Sequence, residues 1–217
     1  YHEYGDGAMY QLMDMRLKVA LAKVGPTDVR PEQAEVEKTY TTEWGKEISV
    51  YALVREHERF VEAADAVLNA EFKPPEEKSK LPDYGEEVGK RRHQILYLTA
   101  QVLFTYNQFE RARPRFKEVV RDFRKTEEGS YSAGLLLDSY LAEGDLDMVR
   151  QLARDFILNP VGSSDIPDPT FENLLEGTAF KQAKALADAG AFAEAADAFI
   201  KFREEFPDSE HDAFALY

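Results

Sequence analysis

Residues 189–214 read AGAFAEAADAFIKFREEFPDSEHDAF, with aromatic residues, small residues and one proline at regular intervals. Just upstream, Phe180, Ala183, Leu186 and Ala187 form a stripe at the 3.6-residue period of a helix, and Gly190 breaks it. Ala195, Phe199 and Phe202 form the stripe of a second helix, which Pro207 and Asp208 end. An alanine where two helices cross lets them approach closely, and the phenylalanines fill the space beside it. The stretch therefore predicts a helical hairpin. Such a hairpin cannot bury both its faces alone, so it requires neighbours.

The same pattern recurs upstream. Ala112 and Phe116 repeat the spacing of Ala195 and Phe199, and Phe109 precedes Ala112 as Phe192 precedes Ala195. Leu96, Ala100 and Leu103 mark the first helix of that unit, which spans about 93–126. A second unit, 127–158, carries Gly134, Leu137 and Tyr140, then a Gly144–Asp145 turn, then Val149 and Ala153 in place of the alanine–phenylalanine pair. The third unit is 176–209. Ala112 and Val149 lie 37 residues apart, and Val149 and Ala195 lie 46 apart. The second interval holds the turn-rich segment 159–170, NPVGSSDIPDPT, which reads as a loop. Hairpin turns are expected near Asn107, Gly144 and Gly190. Ala213 and Leu216 would begin another first helix over 210–217.

The combination Ala-x3-Phe…Pro, with a glycine and an aromatic residue at the turn, resembles the tetratricopeptide repeat (TPR) family. The resemblance implies an all-α protein, a right-handed solenoid of antiparallel helical hairpins. It also implies a partner segment bound in the concave groove lined by the first helix of each unit. Carried onto this chain, that wall comprises Tyr97, Gln101 and Thr105, then Tyr131, Leu135 and Asp138, then Phe180, Lys184 and Asp188. The lysine/asparagine clamp with which chaperone-type TPRs hold a terminal carboxylate is missing from the matching positions. Phenylalanines in the second helix and the Phe206–Ser209 ending resemble TPR proteins of bacterial envelopes. This implies a bacterial periplasm or cell-envelope location, with the cytoplasm as the alternative.

The N-terminal part, 1–90, is less regular and reads as an irregular helical segment. Ala8–Val24 is expected to form an amphipathic helix ended by Gly25 and Pro26. Residues 44–72 carry Ile48, Tyr51, Ala52, Phe60, Ala64 and Leu68, which predicts one or two long helices; RFVEAADAVL within them echoes the second helix of a repeat. Residues 72–90 read as a polar, proline-bearing loop. No strand is expected. The chain begins at Tyr1 and not at methionine, so an upstream leader or anchor would not be visible in it.

The chain has 217 residues, of which 44% are hydrophobic and 12% aromatic, which favours a folded protein over a disordered one. No apolar run reaches the roughly 18 residues needed to span a bilayer. The net charge is −14. Residues 1–125 are nearly balanced, with 21 basic and 22 acidic residues, whereas 126–217 hold 6 basic against 19 acidic. Nucleic acid is therefore disfavoured as a partner of the C-terminal part.

Chemistry is hard to find. There is no cysteine, so thiolate metal sites and a cysteine nucleophile are excluded. His2 and His57 begin like a zinc helix motif, but the second histidine would fall at Asp6 and Val61. His93 and His211 lie in charged segments, and all four histidines read as solvated. Asp165 and Asp168 lack the alternating oxygen ligands of a calcium loop. No glycine-rich phosphate loop and no nucleophile elbow occurs. The reading is a non-enzymatic chain without a cofactor. Its alternatives are a self-assembling structural solenoid, or an accessory region of a larger protein whose activity lies elsewhere. Arg113, Lys117, Arg121 and Lys125 recur every four residues. They predict an outward basic stripe for an acidic partner protein, or for the acidic half of another copy stacked end to end.

Overall fold

The computed structural model describes residues 2–72 and 82–211. Eight helices and one two-stranded sheet occur among them: α1 (His2–Lys23), β1 (Val36–Thr41), β2 (Glu47–Tyr51), α2 (Arg55–Leu68), α3 (Tyr84–Thr105), α4 (Phe109–Asp122), α5 (Glu127–Glu143), α6 (Leu146–Leu158), α7 (Pro169–Asp188) and α8 (Phe192–Glu205). The protein is predominantly helical. Each helix packs chiefly on the one before and the one after it, and α5 also touches α3.

Three connections share one geometry. Asn107, Gly144 and Gly190 have φ values of 57°, 87° and 79°, the left-handed conformation that reverses a chain after a helix. In each case the following amide reaches back five residues: Gln108 N–H to Leu103 O at 2.9 Å, Asp145 N–H to Tyr140 O at 3.0 Å, and Ala191 N–H to Leu186 O at 3.0 Å. The chain thus uses the same helix stop three times, before α4, α6 and α8. At the crossings that follow, Ala112, Val149 and Ala195 are all buried. Helix starts are equally local in origin. Asp83, Thr126, Asp145 and Asp168 each accept a hydrogen bond from an amide in the first turn of the helix they precede, which satisfies a donor that the helix itself leaves free.

The N-terminal part corrects the sequence reading. Residues 44–51 are not helical: β1 and β2 form an antiparallel hairpin, with Tyr40 opposite Ile48 and Thr41 opposite Glu47. Glu43, Trp44 and Gly45 make the turn, Gly45 taking φ 77° and its amide bonding Thr42 O at 2.9 Å. Ile48 and Val50 are buried while the flanking residues point out, a period of two. Ile48, Tyr51 and Ala52 also fit a period of 3.6, and that coincidence produced the helix expectation. Helix α2 begins only at Arg55. Residues 84–90, expected as loop, are the first two turns of α3, started by the Asp83 cap. The further helix expected over 210–217 lies outside the described residues beyond His211, as does the proline-bearing stretch 73–81.

The β-hairpin lies over the ends of α3 and α5. Asn107 Nδ2 donates to Ser49 O, Gln108 Nε2 to Tyr51 O, and Tyr51 N–H to Tyr106 O. At its tip, Lys46 Nζ donates to Leu141 O and Thr42 Oγ1 to Glu143 O. These two carbonyls belong to the last turn of α5, where a cation is favoured; Leu141 O also accepts from the Gly144 amide at 3.1 Å. Helix α1 packs on α2, burying Met13 and Ala20. A Cβ on Gly7 would stand 2.7 Å from the Tyr84 hydroxyl, so a larger residue there would make the end of the Tyr84 side chain shift.

Candidate partner-binding face

Of the nine residues expected to line a groove, the fold brings two into one notch. Tyr97 on α3 and Tyr131 on α5 stand with ring centroids 6.0 Å apart. The start of α5 sets this. A Cβ on Gly129 would meet Phe123 O at 2.5 Å, so the glycine permits a tight entry into the helix and fixes Tyr131 beside α3. Gln94, Leu98, Glu127 and Glu128 complete the notch, whose volume is about 210 Å³. Tyr131 is 52% exposed, and its hydroxyl donates to Glu127 Oε1 at 2.7 Å. The Tyr97 hydroxyl accepts from Gln101 Nε2 at 2.9 Å.

Both phenols are held above their ordinary pKa. For Tyr97 burial is the main cause and the neighbouring negative groups add to it; for Tyr131 the main cause is the hydrogen bond to Glu127. Both therefore keep their protons at neutral pH and present aromatic faces under two carboxylates. His93 sits behind the rim, its ring 5.2 Å from that of Phe123 and its Nε2 3.8 Å from Glu128. The notch suits a cation that also stacks, such as an arginine or lysine side chain.

Comparison with known proteins adds no relative. No protein-family model, no curated protein and no solved structure matches the chain.

The remaining expected wall residues go elsewhere. Gln101 is taken by the chain itself: Thr27 Oγ1, from the segment after α1, donates to Gln101 Oε1 at 2.6 Å and is buried there. Thr105 donates back to Val102 O within α3. Leu135 packs against the core and Asp138 is exposed on α5. Phe180 faces its own hairpin partner and the segment after α8, not a groove; it packs on Phe199 and Phe202 and stacks on His211 at 4.4 Å. Lys184 and Asp188 pair with each other at 2.8 Å on the surface of α7.

The expected basic stripe is corrected at Arg113. Arg113 does not point outward. Its Nη2 lies 2.5 Å from Glu143 Oε2 and its guanidinium 3.9 Å above the Tyr140 ring, both on α5, and its Nε donates to Ser139 Oγ. Lys117 Nζ approaches the same ring at 5.5 Å. Arg121 pairs with Asp122, and Lys125, beyond the end of α4, pairs with Asp165. Arg113 is thus engaged within the chain, while Lys117, Arg121 and Lys125 stay exposed. Arg113, the position directly after Ala112, faces α5, whereas the later positions of the stripe face water.

Sequence reasoning missed the polar network around Glu143. Tyr40 Oη donates to Glu143 Oε1 at 2.5 Å, so β1, α4 and α5 meet on one carboxylate. Burial and this bond push the Tyr40 phenol far above its usual range. His57 was misread too. His57 is fully buried with Nδ1 2.9 Å from the Tyr106 hydroxyl, and burial pushes its pKa down. The Glu127–Glu128 rim was legible only as a helix start. Among the described residues no group of three or more histidine, aspartate and glutamate side chains is arranged to hold a metal ion, and no helix is long and apolar enough to cross a membrane.

Proposed function

We propose that this chain is a non-enzymatic protein–protein interaction scaffold, a right-handed TPR-like solenoid whose α3–α5 face receives a partner segment. The observation that carries this reading is the Tyr97–Tyr131 pair, two aromatic rings on neighbouring helices beneath Glu127 and Glu128, with Tyr131 open to solvent. Tyrosines supply large contact area and a hydrogen-bonding end at small entropic cost, which suits peptide recognition. The three turns of one geometry and the buried crossing residues Ala112, Val149 and Ala195 support the repeat assignment. The partner segment carries an arginine or lysine that enters the notch, its cation paired with Glu127 and stacked on tyrosine. A bacterial cell-envelope or periplasmic location rests on the sequence resemblance alone.

The test is selection of a displayed random-peptide library on the full chain, followed by solution titration of the enriched peptides. A motif containing arginine or lysine is expected, bound at least tenfold more weakly by Tyr131→Ala and by Glu127→Gln, both exposed positions that leave helicity unchanged. Enriched peptides that bind both variants as well as the parent would overturn the assignment of the notch.

A further inference from the structure

The turn after α1 reaches the notch by way of Gln101. Pro26 O accepts from the Val29 amide at 3.3 Å, which puts Thr27 and Asp28 at the middle of a tight turn. The Arg30 guanidinium, 3.7 Å above the Tyr51 ring, holds the chain just beyond it. Thr27 is turned in and buried, whereas Asp28 stays exposed. Asp28 nonetheless stands near the notch. After burial and Tyr131, its charge is the next cause of the raised Tyr97 pKa, ahead of Glu128 and Glu127.

Two hydrogen bonds link this turn to the phenol. Thr27 Oγ1 donates to Gln101 Oε1 at 2.6 Å, and Gln101 Nε2 donates to Tyr97 Oη at 2.9 Å. A hydroxyl has one hydrogen to give. Thr27 gives its own to the amide, while Tyr97 Oη accepts from the amide and keeps its hydrogen. Among the described residues no acceptor takes that hydrogen, whereas the Tyr131 hydroxyl donates to Glu127.

The burial of Thr27 sets the direction of this relay. With the amide turned over, Tyr97 would donate to Gln101, and the Thr27 hydrogen would be left buried without an acceptor among the described residues. An unmet buried donor is costly. The spare hydrogen therefore sits at Tyr97, which is only half-buried and lines the notch. The surrounding charge then decides what can receive it. Asp28, Glu127 and Glu128 draw a cation towards the phenol and repel an anionic acceptor. A neutral carbonyl meets both conditions.

Given the notch as the binding site, we propose that the Thr27–Gln101–Tyr97 relay makes Tyr97 a hydrogen-bond donor to the partner, so that the notch recognises a basic side chain together with an adjoining neutral backbone carbonyl. Tyr97 touches the partner. Thr27 and Gln101 are positioning residues, and Asp28 joins Glu127 and Glu128 in attracting the cation.

NMR titration of the full chain, read at the Tyr131 ring resonances, tests this with small probes. Butylguanidinium is a cation without an acceptor; acetylarginine methylamide carries the same cation beside neutral carbonyls. The methylamide is expected to bind the parent at least about fivefold more tightly, the worth of one hydrogen bond. Tyr97→Phe keeps the ring and removes the O–H, so it should abolish that preference. Thr27→Val frees the amide to turn and take the Tyr97 hydrogen, with the same result, whereas Thr27→Ser should retain the preference. Asp28→Asn should weaken both probes alike, and acetylarginine with a free carboxylate should bind the parent less tightly than the methylamide. A parent without the preference, or a preference that survives Tyr97→Phe, overturns the relay and leaves the notch a plain cation site, whether or not the Thr27 variants fold. Loss of the preference in Thr27→Ser, an Asp28→Asn variant that binds like the parent, or a free carboxylate that binds as well as the methylamide would also overturn the proposal. Tyr131 resonances that move with neither probe would overturn the notch itself.

Discussion

Helices α3 and α4 and helices α7 and α8 are built to one pattern, yet they end in different surroundings. Both pairs reverse on a left-handed residue with the same five-residue hydrogen bond, and both cross at a buried alanine. Phe109 and Phe192 occupy the same place before that alanine. Phe109 is 3% exposed and Phe192 is 74% exposed. The first pair is roofed by the β-hairpin and flanked by α5, whereas among the described residues the second has a neighbouring helix on one side only. The spacing of small and large residues determines the hairpin. How much each large residue contributes is determined by what the rest of the chain lays on it.

The largest effect that should separate the two pairs is truncation of a shared phenylalanine. Phe116 is fully buried among α3, α4 and α5, so Phe116→Ala is expected to cost about 3–5 kcal/mol. Phe199, its counterpart on α8, is half-buried, and Phe199→Ala should cost clearly less. Urea unfolding of both variants measures the difference; equal losses would break the comparison.

A smaller effect tests what the pairs share. Ala195→Leu adds three carbons at a tight crossing and is expected to cost about 1–3 kcal/mol. Ala112→Leu should cost at least as much, because α5 and the β-hairpin prevent α4 from shifting. A thermal scan in which Ala195→Leu melts with the parent would place the α7–α8 crossing elsewhere.

The smallest effect belongs to the roofed side alone. Burial lowers the pKa of His57 in the folded state, so below its unfolded value of about 6.5 the unfolded chain takes up a proton that the fold resists. The stability tied to His57 is complete above that pH and is lost as pH falls towards the depressed folded value. Melting temperatures of the parent and His57→Gln between pH 7.5 and 5 should therefore converge on acidification. A constant gap would mean that His57 takes its proton without cost.

These contrasts also show what could be read from the sequence. The helices after residue 90 and their turns depend on contacts a few residues apart, so Asn107, Gly144 and Gly190 were visible as stops. The β-hairpin was not. Ile48, Tyr51 and Ala52 fit two periods, and a strand of five residues is too short for the pattern alone to choose. At the candidate site, Tyr97 and Tyr131 meet because adjacent helices hold them. Gln101 was lost to Thr27, 74 residues away, and Arg113 to Glu143, whose carboxylate is shared with Tyr40, 103 residues away. Such partners are chosen by the fold as a whole, and no local spacing announces them.

The bonds from the β-hairpin tip to α5 have a further consequence, for the order in which the molecule assembles. Each helix pair closes over a short span of chain, but Lys46 and Thr42 reach carbonyls 95 and 101 residues away. The entropy of closing a loop grows with its length, and contacts between distant parts of a chain form late. The helix pairs can therefore form first, with the Glu143 carbonyl at the end of α5 left to water, and the hairpin then settles on it. Run in reverse, the same sequence makes the hairpin the first element to lift under mild stress, while the helices beneath it still hold their shape.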